Sequence, residues 1–202
     1  VRALAAGSIL AALLANGCAL LSRGTSLKPR YYDPAQPAPT AAIAGSPACA
    51  VHLGDVSASD DLGQSIAFRR SAYEVGYYET RRWSQSPDNY LRRALVRALF
   101  DEHRCRRVLS GDGPTLDARL LTFEQQIEPD RARVAVHMMV SDSRGVLVEH
   151  TFEATRPFVE EASGAGFDSF VAALSIALDD VVAQVVAAVT SGAATPATLD
   201  ER

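Results

Sequence analysis

The sequence predicts an α+β fold: a mainly antiparallel sheet with two helices packed on one face, preceded by a signal peptide and a disordered tether. Three observations predict it. Thr115 to Gln126, Ala132 to Ser141 and Val146 to Thr155 are runs of period-two character joined by short polar turns, the pattern of antiparallel hairpins. Two other stretches, Pro87 to Leu99 and Phe167 to Val189, repeat apolar residues every three or four positions, as helices do when they bury one face. The first 47 residues follow neither pattern. They open on an apolar run and continue in Pro, Ala, Ser and Gly, a composition that buries too little apolar surface to fold alone.

Residues 1–17 carry one early arginine, a short apolar run and then small residues. That is a secretory signal, too short to span a bilayer as a stable helix. Gly17-Cys18 at its end resembles a bacterial lipobox, in which Cys18 becomes the lipidated N-terminus. Ala19 stands where an aspartate would resemble an inner-membrane retention signal, so the resemblance implies an outer-membrane anchor. Two or more acyl chains there hold a protein firmly, at roughly 0.8 kcal/mol per buried methylene. Residues 18–47, with Pro29, Pro34, Pro37, Pro39 and Pro47, read as a tether reaching on the order of 30 Å as a flexible coil.

Residues 48–190 have the size of one domain with one core. Ala48 to Val56 alternates as a strand, and a turn through Asp60-Asp61-Leu62-Gly63 leads to a second at Ile66 to Arg69. A third, Tyr73 to Glu79, is aromatic and β-branched, suited to a pleated, half-buried surface. Trp83 follows at a strand-to-helix corner. Ser86 then precedes Pro87, an N-cap ahead of a proline at the first helical position. The stripe Tyr90/Leu91, Ala94/Leu95, Ala98/Leu99 carries this helix to about His103-Arg104. A short strand, Arg106 to Leu109, ends in the turn Ser110-Gly-Asp-Gly-Pro114, and the three-strand meander follows. Leu120, Phe123, Val134, Val136, Val140, Leu147 and Phe152 are its expected buried residues; Arg119, Glu124, Gln125 and Arg133 point to an uncovered face. In the last helix, Asp179 and Asp180 near the middle would each cost about 2.5 to 3.5 kcal/mol inside a bilayer, so it is expected to face the core. Residues 191–202 are expected to form a frayed tail.

Catalytic geometry is not legible. His52, His103, His137 and His150 are scattered without ligand spacing or a cysteine pair beside them, so no metal site is expected. Neither a Gly-x-Ser-x-Gly elbow nor a P-loop occurs. Gly164-Ala-Gly166-Phe-Asp-Ser169 imitates a dinucleotide fingerprint but lacks its third glycine, so no cofactor is expected. The neighbouring acidic pairs Asp60/Asp61, Glu160/Glu161 and Asp179/Asp180 point apart on any regular element. The chain is expected not to be an enzyme.

The basic residues cluster at Arg81, Arg82, Arg92, Arg93, Arg97, Arg104, Arg106 and Arg107. A net charge of −4 and an export signal argue against nucleic acid. A solvated helix face is one reading; contact with anionic headgroups or an acidic partner surface is the other. Trp83 either fills the corner or, exposed, anchors a partner; the corner is the expectation. Once Cys18 is lipidated, Cys49 and Cys105 remain, and an oxidising compartment favours their pairing. The alternative is two separate small buried hydrophobes.

Arg69-Arg70-Ser71-Ala72-Tyr73, the Tyr77-Tyr78 pair, and Trp83 with Pro87 and Leu91 behind it resemble the central block of the ABC-type transport auxiliary lipoproteins, the PqiC/YmbA-like partners of MCE lipid transport systems. Phe123, the Asp142-Ser-Arg-Gly145 turn, Phe152, Pro157 and the Ala172–Leu178 helix recur in the family's order. The resemblance covers residues 48–190 and implies an opening edge strand at Arg30-Tyr31-Tyr32. It also implies a lipid-anchored, non-enzymatic subunit at the periplasmic face of the outer membrane. Such a subunit would work with an ATPase, a permease and an MCE substrate-binding protein to move lipids or other hydrophobic molecules. Its contact surface is expected at Trp83 or at Arg92, Arg93 and Arg97. Association with copies of itself stays open. The competing expectation is a lipoprotein that itself binds a lipid or hydrophobic ligand, for which a cavity between meander and helices would be needed.

Overall fold

The computed structural model describes residues 28–35, 49–109, 113–159 and 166–192. The signal peptide with Cys18, most of the tether, Gly164 and the tail beyond Gly192 lie outside the described residues. The elements are β1 (Arg30–Tyr32), β2 (Ala50–Ala58), β3 (Ser65–Arg69), β4 (Val75–Trp83), α1 (Pro87–Val96), β5 (Arg106–Arg107), β6 (Thr115–Gln126), β7 (Arg131–Asp142), β8 (Gly145–Pro157) and α2 (Gly166–Gly192). A π-helical turn, Arg97–Glu102, continues α1.

The predicted meander is present. β6, β7 and β8 pair antiparallel along nearly their whole lengths, and Gly145 closes the second hairpin at φ +138°, where any side chain would be strained. The other edge of β6 carries two strands end to end. β2 pairs in parallel with residues 115–120 and β3 with residues 124–126. β4 then returns antiparallel to β3, β1 adds in parallel to the end of β4, and β5 adds in parallel to β2. The sheet is therefore mixed, though mostly antiparallel. The parallel joins follow from connection length. Parallel neighbours need a crossover of a dozen or more residues, normally helical, and the chain from β2 to β6 passes through α1.

Two phase details decide which side chains face the helices. Leu116, Ala118 and Leu120 face inward on β6, but beyond a register shift between Leu120 and Thr122 the inward residues are Phe123 and Gln125. One extra residue in a strand flips every later side chain. On β8 the inward set includes Val148, Phe152 and Ala154. Leu147, one position out of phase, is 46 % exposed, which corrects its expected burial.

Both helices lie against this inward face, α1 over β2 and β6, and α2 over β6, β7 and β8. α2 is long and apolar enough to cross a membrane by length and composition. Here its apolar side is spent on the sheet: Phe170, Leu174, Ala177, Val181 and Val185 are fully buried. Trp83 sits at the centre, 1 % exposed, with its ring 5.1 Å from Phe123, 6.1 Å from Tyr90 and 6.4 Å from Phe170. β4 reaches Trp83 itself, further than the expected Glu79 end. Tyr73 falls in the hairpin bend before the strand and is 98 % exposed.

Candidate interaction surface

Trp83 cannot be a partner contact. Its burial among three aromatic rings corrects its place among the expected binding residues; the strand–helix corner consumes the whole side chain. Ser86 at the start of α1 makes no side-chain bond to the helix backbone and instead hydrogen-bonds the Asp88 carboxylate.

The arginines divide sharply. Arg97 is held from two sides, 2.6 Å from Asp179 and 3.4 Å from Glu102, with its side chain 12 % exposed. It ties α1's π-helical turn to α2 and is not a free contact. Burial pushes the Asp179 carboxyl above its ordinary value, outweighing the Arg97 hydrogen bond that lowers it; Glu102 and Asp180 add to the rise. Arg93 lies 5.1 Å over the Tyr90 ring and 3.4 Å from Asp33. Arg81 stacks on Tyr78 and Phe167, and Arg82 donates to Ser65 at 2.6 Å. Arg92, Arg104, Arg106 and Arg107 remain, and among the described residues no carboxylate pairs with any of them.

Three of them, Arg104, Arg106 and Arg107, lie on a segment strapped by a disulfide. Arg104 ends the π-helical turn in the left-handed region, at φ +53°, while the Cys105 amide donates back to Leu99 O at 2.8 Å. That reversal aims Cys105 inward, where it is bonded to Cys49 with 4.7 Å between the Cα atoms. β5 follows directly, its Arg106 amide donating to Cys49 O at 2.8 Å, with the Val108 amide donating to Val51 O at 3.0 Å just beyond it. The link lays two exposed arginines on the sheet edge beside α1. The short strand is also briefer than expected, Arg106–Arg107 alone.

Between this edge and α1 lies a cleft of about 170 Å³, lined by Leu53, Val96, Phe100 and Leu109 together with Arg92 and Arg107. The Arg107 guanidinium lies 4.3 Å from the Phe100 ring centroid. His52 shares a 2.9 Å hydrogen bond between Nδ1 and Val108 O, fixing the strand beneath. Of the expected contact residues only Arg92 belongs to the cleft. Arg107 belongs to the basic cluster that the sequence singles out, whereas Phe100 and Leu109 carry no sequence signal that sets them apart from the helix stripe and the short strand they extend.

The opposite face of the sheet is the uncovered one that the polar strand residues indicated. There an ion-pair ladder crosses four strands. Arg69 Nε is 2.7 Å from Glu124, Arg133 is 3.6 Å from the same carboxylate, and Arg133 grips Glu153 bidentately at 2.8 and 2.9 Å. The hydrogen bond from Arg133 holds the Glu153 carboxyl below its ordinary value and raises Arg133 in return. Gln125, though polar, faces inward and accepts from the Tyr78 hydroxyl at 2.7 Å. The histidines are dispersed: His103 bonds Ala98 O, His137 sits between Thr151 and Glu149, and His150 packs on Phe152. Among the described residues no group of three or more His, Cys, Asp or Glu is placed to hold a metal ion.

Comparison with known proteins agrees with this architecture. The model of the family described as the ABC-type transport auxiliary lipoprotein component matches residues 32–186. Among solved structures, protein XCC0632 from Xanthomonas campestris superposes with a TM-score of 0.65 at 20 % identity, covering 81 % of this chain and 96 % of that one. A structure described only as an uncharacterized protein gives a TM-score of 0.63 at 15 % identity, covering 79 % and 97 %. At such identities the likeness establishes the fold. No curated protein matches the chain.

Proposed function

Because the chain belongs to the ABC-type transport auxiliary lipoprotein component family, whose members are membrane-anchored proteins of the envelope, we propose that it is the non-enzymatic docking subunit of an MCE-type transport system. In this reading a lipidated Cys18 holds it at the periplasmic face of the outer membrane. The domain engages the MCE substrate-binding protein of a system whose ATPase and permease move lipids or other hydrophobic molecules.

One observation favours docking over carriage. The space between meander and helices, where a carried lipid would have to lie, is filled by Trp83, Phe123, Tyr90 and Phe170 packed ring to ring. Interiors packed in this way have little room for a guest. A domain on a tether, with an aromatic core closed to guests, contributes by position and contact.

The test is crosslinking in intact envelopes followed by identification of the captured protein. An MCE-domain protein should co-purify, and deleting the chain should impair barrier function while the partner's ATPase activity persists. Recovery of no MCE protein, together with a saturable lipid ligand on the isolated chain, would transfer the reading to the carrier.

A further inference from the structure

The cleft beside the disulfide has the chemistry of a receptor for a single side chain. Its wall is apolar, from Leu53, Val96 and Phe100, and Leu109 stands at it 79 % exposed. Such an exposed aliphatic group beside a half-closed cavity loses water when something covers it. Two arginines line it, Arg92 and Arg107, with Arg104 and Arg106 on the neighbouring segment, and the described residues supply no carboxylate for any of the four, on a protein whose net charge is −4. Local positive charge on an acidic chain selects a negative partner and speeds encounter with it.

Size separates the occupants. An apolar cavity of about 150 Å³ holds one benzene. A cleft of about 170 Å³ therefore takes a phenyl ring or a branched aliphatic group and falls far short of a long acyl chain. Buried anchors in such pockets, ringed by polar contacts, dominate protein interfaces.

We infer that this cleft is where the domain receives its protein partner: an acidic segment that inserts one Phe- or Leu-like side chain between Phe100 and Leu109 and sets its flanking carboxylates on Arg92 and Arg107. The inference rests on the docking reading above and names the surface for it. Arg92 and Arg107 line the cavity and are the decisive pair. Arg106 and Arg104 sit farther along the strapped edge and add mainly to the long-range field.

The test uses the full chain and three fluorescent dodecapeptides: one of Glu and Asp around a central Phe, the same with Ser for Phe, and the same with Lys for every acid. Anisotropy is read at 50 and 200 mM salt, with dihexanoyl phosphatidylglycerol as the lipid arm. The acidic Phe peptide should bind, weaken several-fold at the higher salt, and lose at least tenfold in affinity when Phe becomes Ser. Arg92→Glu with Arg107→Glu should lose at least tenfold. Leu109→Ser, at an exposed position that the core does not use, should lose several-fold with an unchanged melting temperature. Equal binding of the Ser peptide, retention in the double reversal, no peptide binding, or saturable lipid binding that the peptide cannot displace each overturns the inference. In envelopes, crosslinking to an MCE protein that survives the double reversal overturns this surface and leaves the docking reading intact. Wild-type chain that captures no MCE protein while the peptide still binds at the cleft overturns the docking reading alone.

Discussion

Breaking the Cys49–Cys105 link tests how much of the domain's stability the disulfide supplies by constraining the unfolded chain. The two cysteines are 56 residues apart in sequence. In the chain-entropy model a 15-residue loop is worth about 3 kcal/mol and a 100-residue loop about 4.7, which puts this one at about 4 kcal/mol. Both cysteines are buried, at 7 % and 5 % exposure, so the replacement must be apolar; a serine hydroxyl there would add its own desolvation cost. For the pair Cys49→Ala and Cys105→Ala, each kcal/mol corresponds to about 2 to 4 °C in a domain near 150 residues. The expected fall in melting temperature is therefore about 8 to 16 °C. Because the constraint acts on the unfolded chain, urea unfolding should also show a larger m-value in the variant. Wild-type protein treated with reductant should behave like the double variant. A fall of less than about 3 °C with an unchanged m-value would refute the reasoning, since it would mean that the unfolded chain is not held by this link.

Trp83→Ala should destabilise the domain by about 3 to 5 kcal/mol, as large core truncations do, measured by urea unfolding; stability close to wild type would mean that the ring is not in the core. The Glu153 carboxyl is held low by Arg133, so its contribution is present above the unfolded carboxylate value of about 4.3 and fades as pH falls through the lower folded value. Glu153→Gln should therefore make the melting temperature fall less steeply below about pH 4.5 than in the wild type; parallel curves would dissociate the ladder from acid sensitivity. Cys18→Ser should abolish incorporation of labelled fatty acid, and undiminished labelling would end the lipid-anchor reading.

The helices and meander were legible because their signals are local. Pro87, the Leu91/Leu95/Leu99 stripe and the alternation Val134/Val136/Val140 each declare an element without reference to the rest of the chain. The parallel joins were not, since β2 and β3 alternate as antiparallel strands do and only α1's placement sets their direction. Register was legible only up to the shift beyond Leu120; a bulge leaves no mark in composition. Leu147 was decidable, since it stands five residues from Phe152 and a period of two puts the pair on opposite faces, but the apolar run Val146-Leu147-Val148 hides that phase locally. At the candidate surface the sequence offered arginines in a crowd. Which were engaged depended on Asp33, Asp179 and Glu102, the first two of them far along the chain from Arg93 and Arg97. The pairing of Cys49 with Cys105 stayed open for the same reason: proximity across 56 residues is a property of the fold.

β1 has a mechanical consequence. Its register sets Tyr32 directly beside Trp83, and Tyr32 O accepts from the Ser84 amide at 2.8 Å. Just beyond, Pro34 is buried and Asp33 reaches Arg93. If a lipid anchor holds the chain, a pull entering at Lys28 and directed along β1 would load these hydrogen bonds in shear, where an end strand pulled sideways would peel open bond by bond. Survival under load is a matter of rupture rate more than of equilibrium stability. In the lipid-anchored reading the three-residue strand would be the cleat of the mooring line, fastened beside the largest side chain in the core.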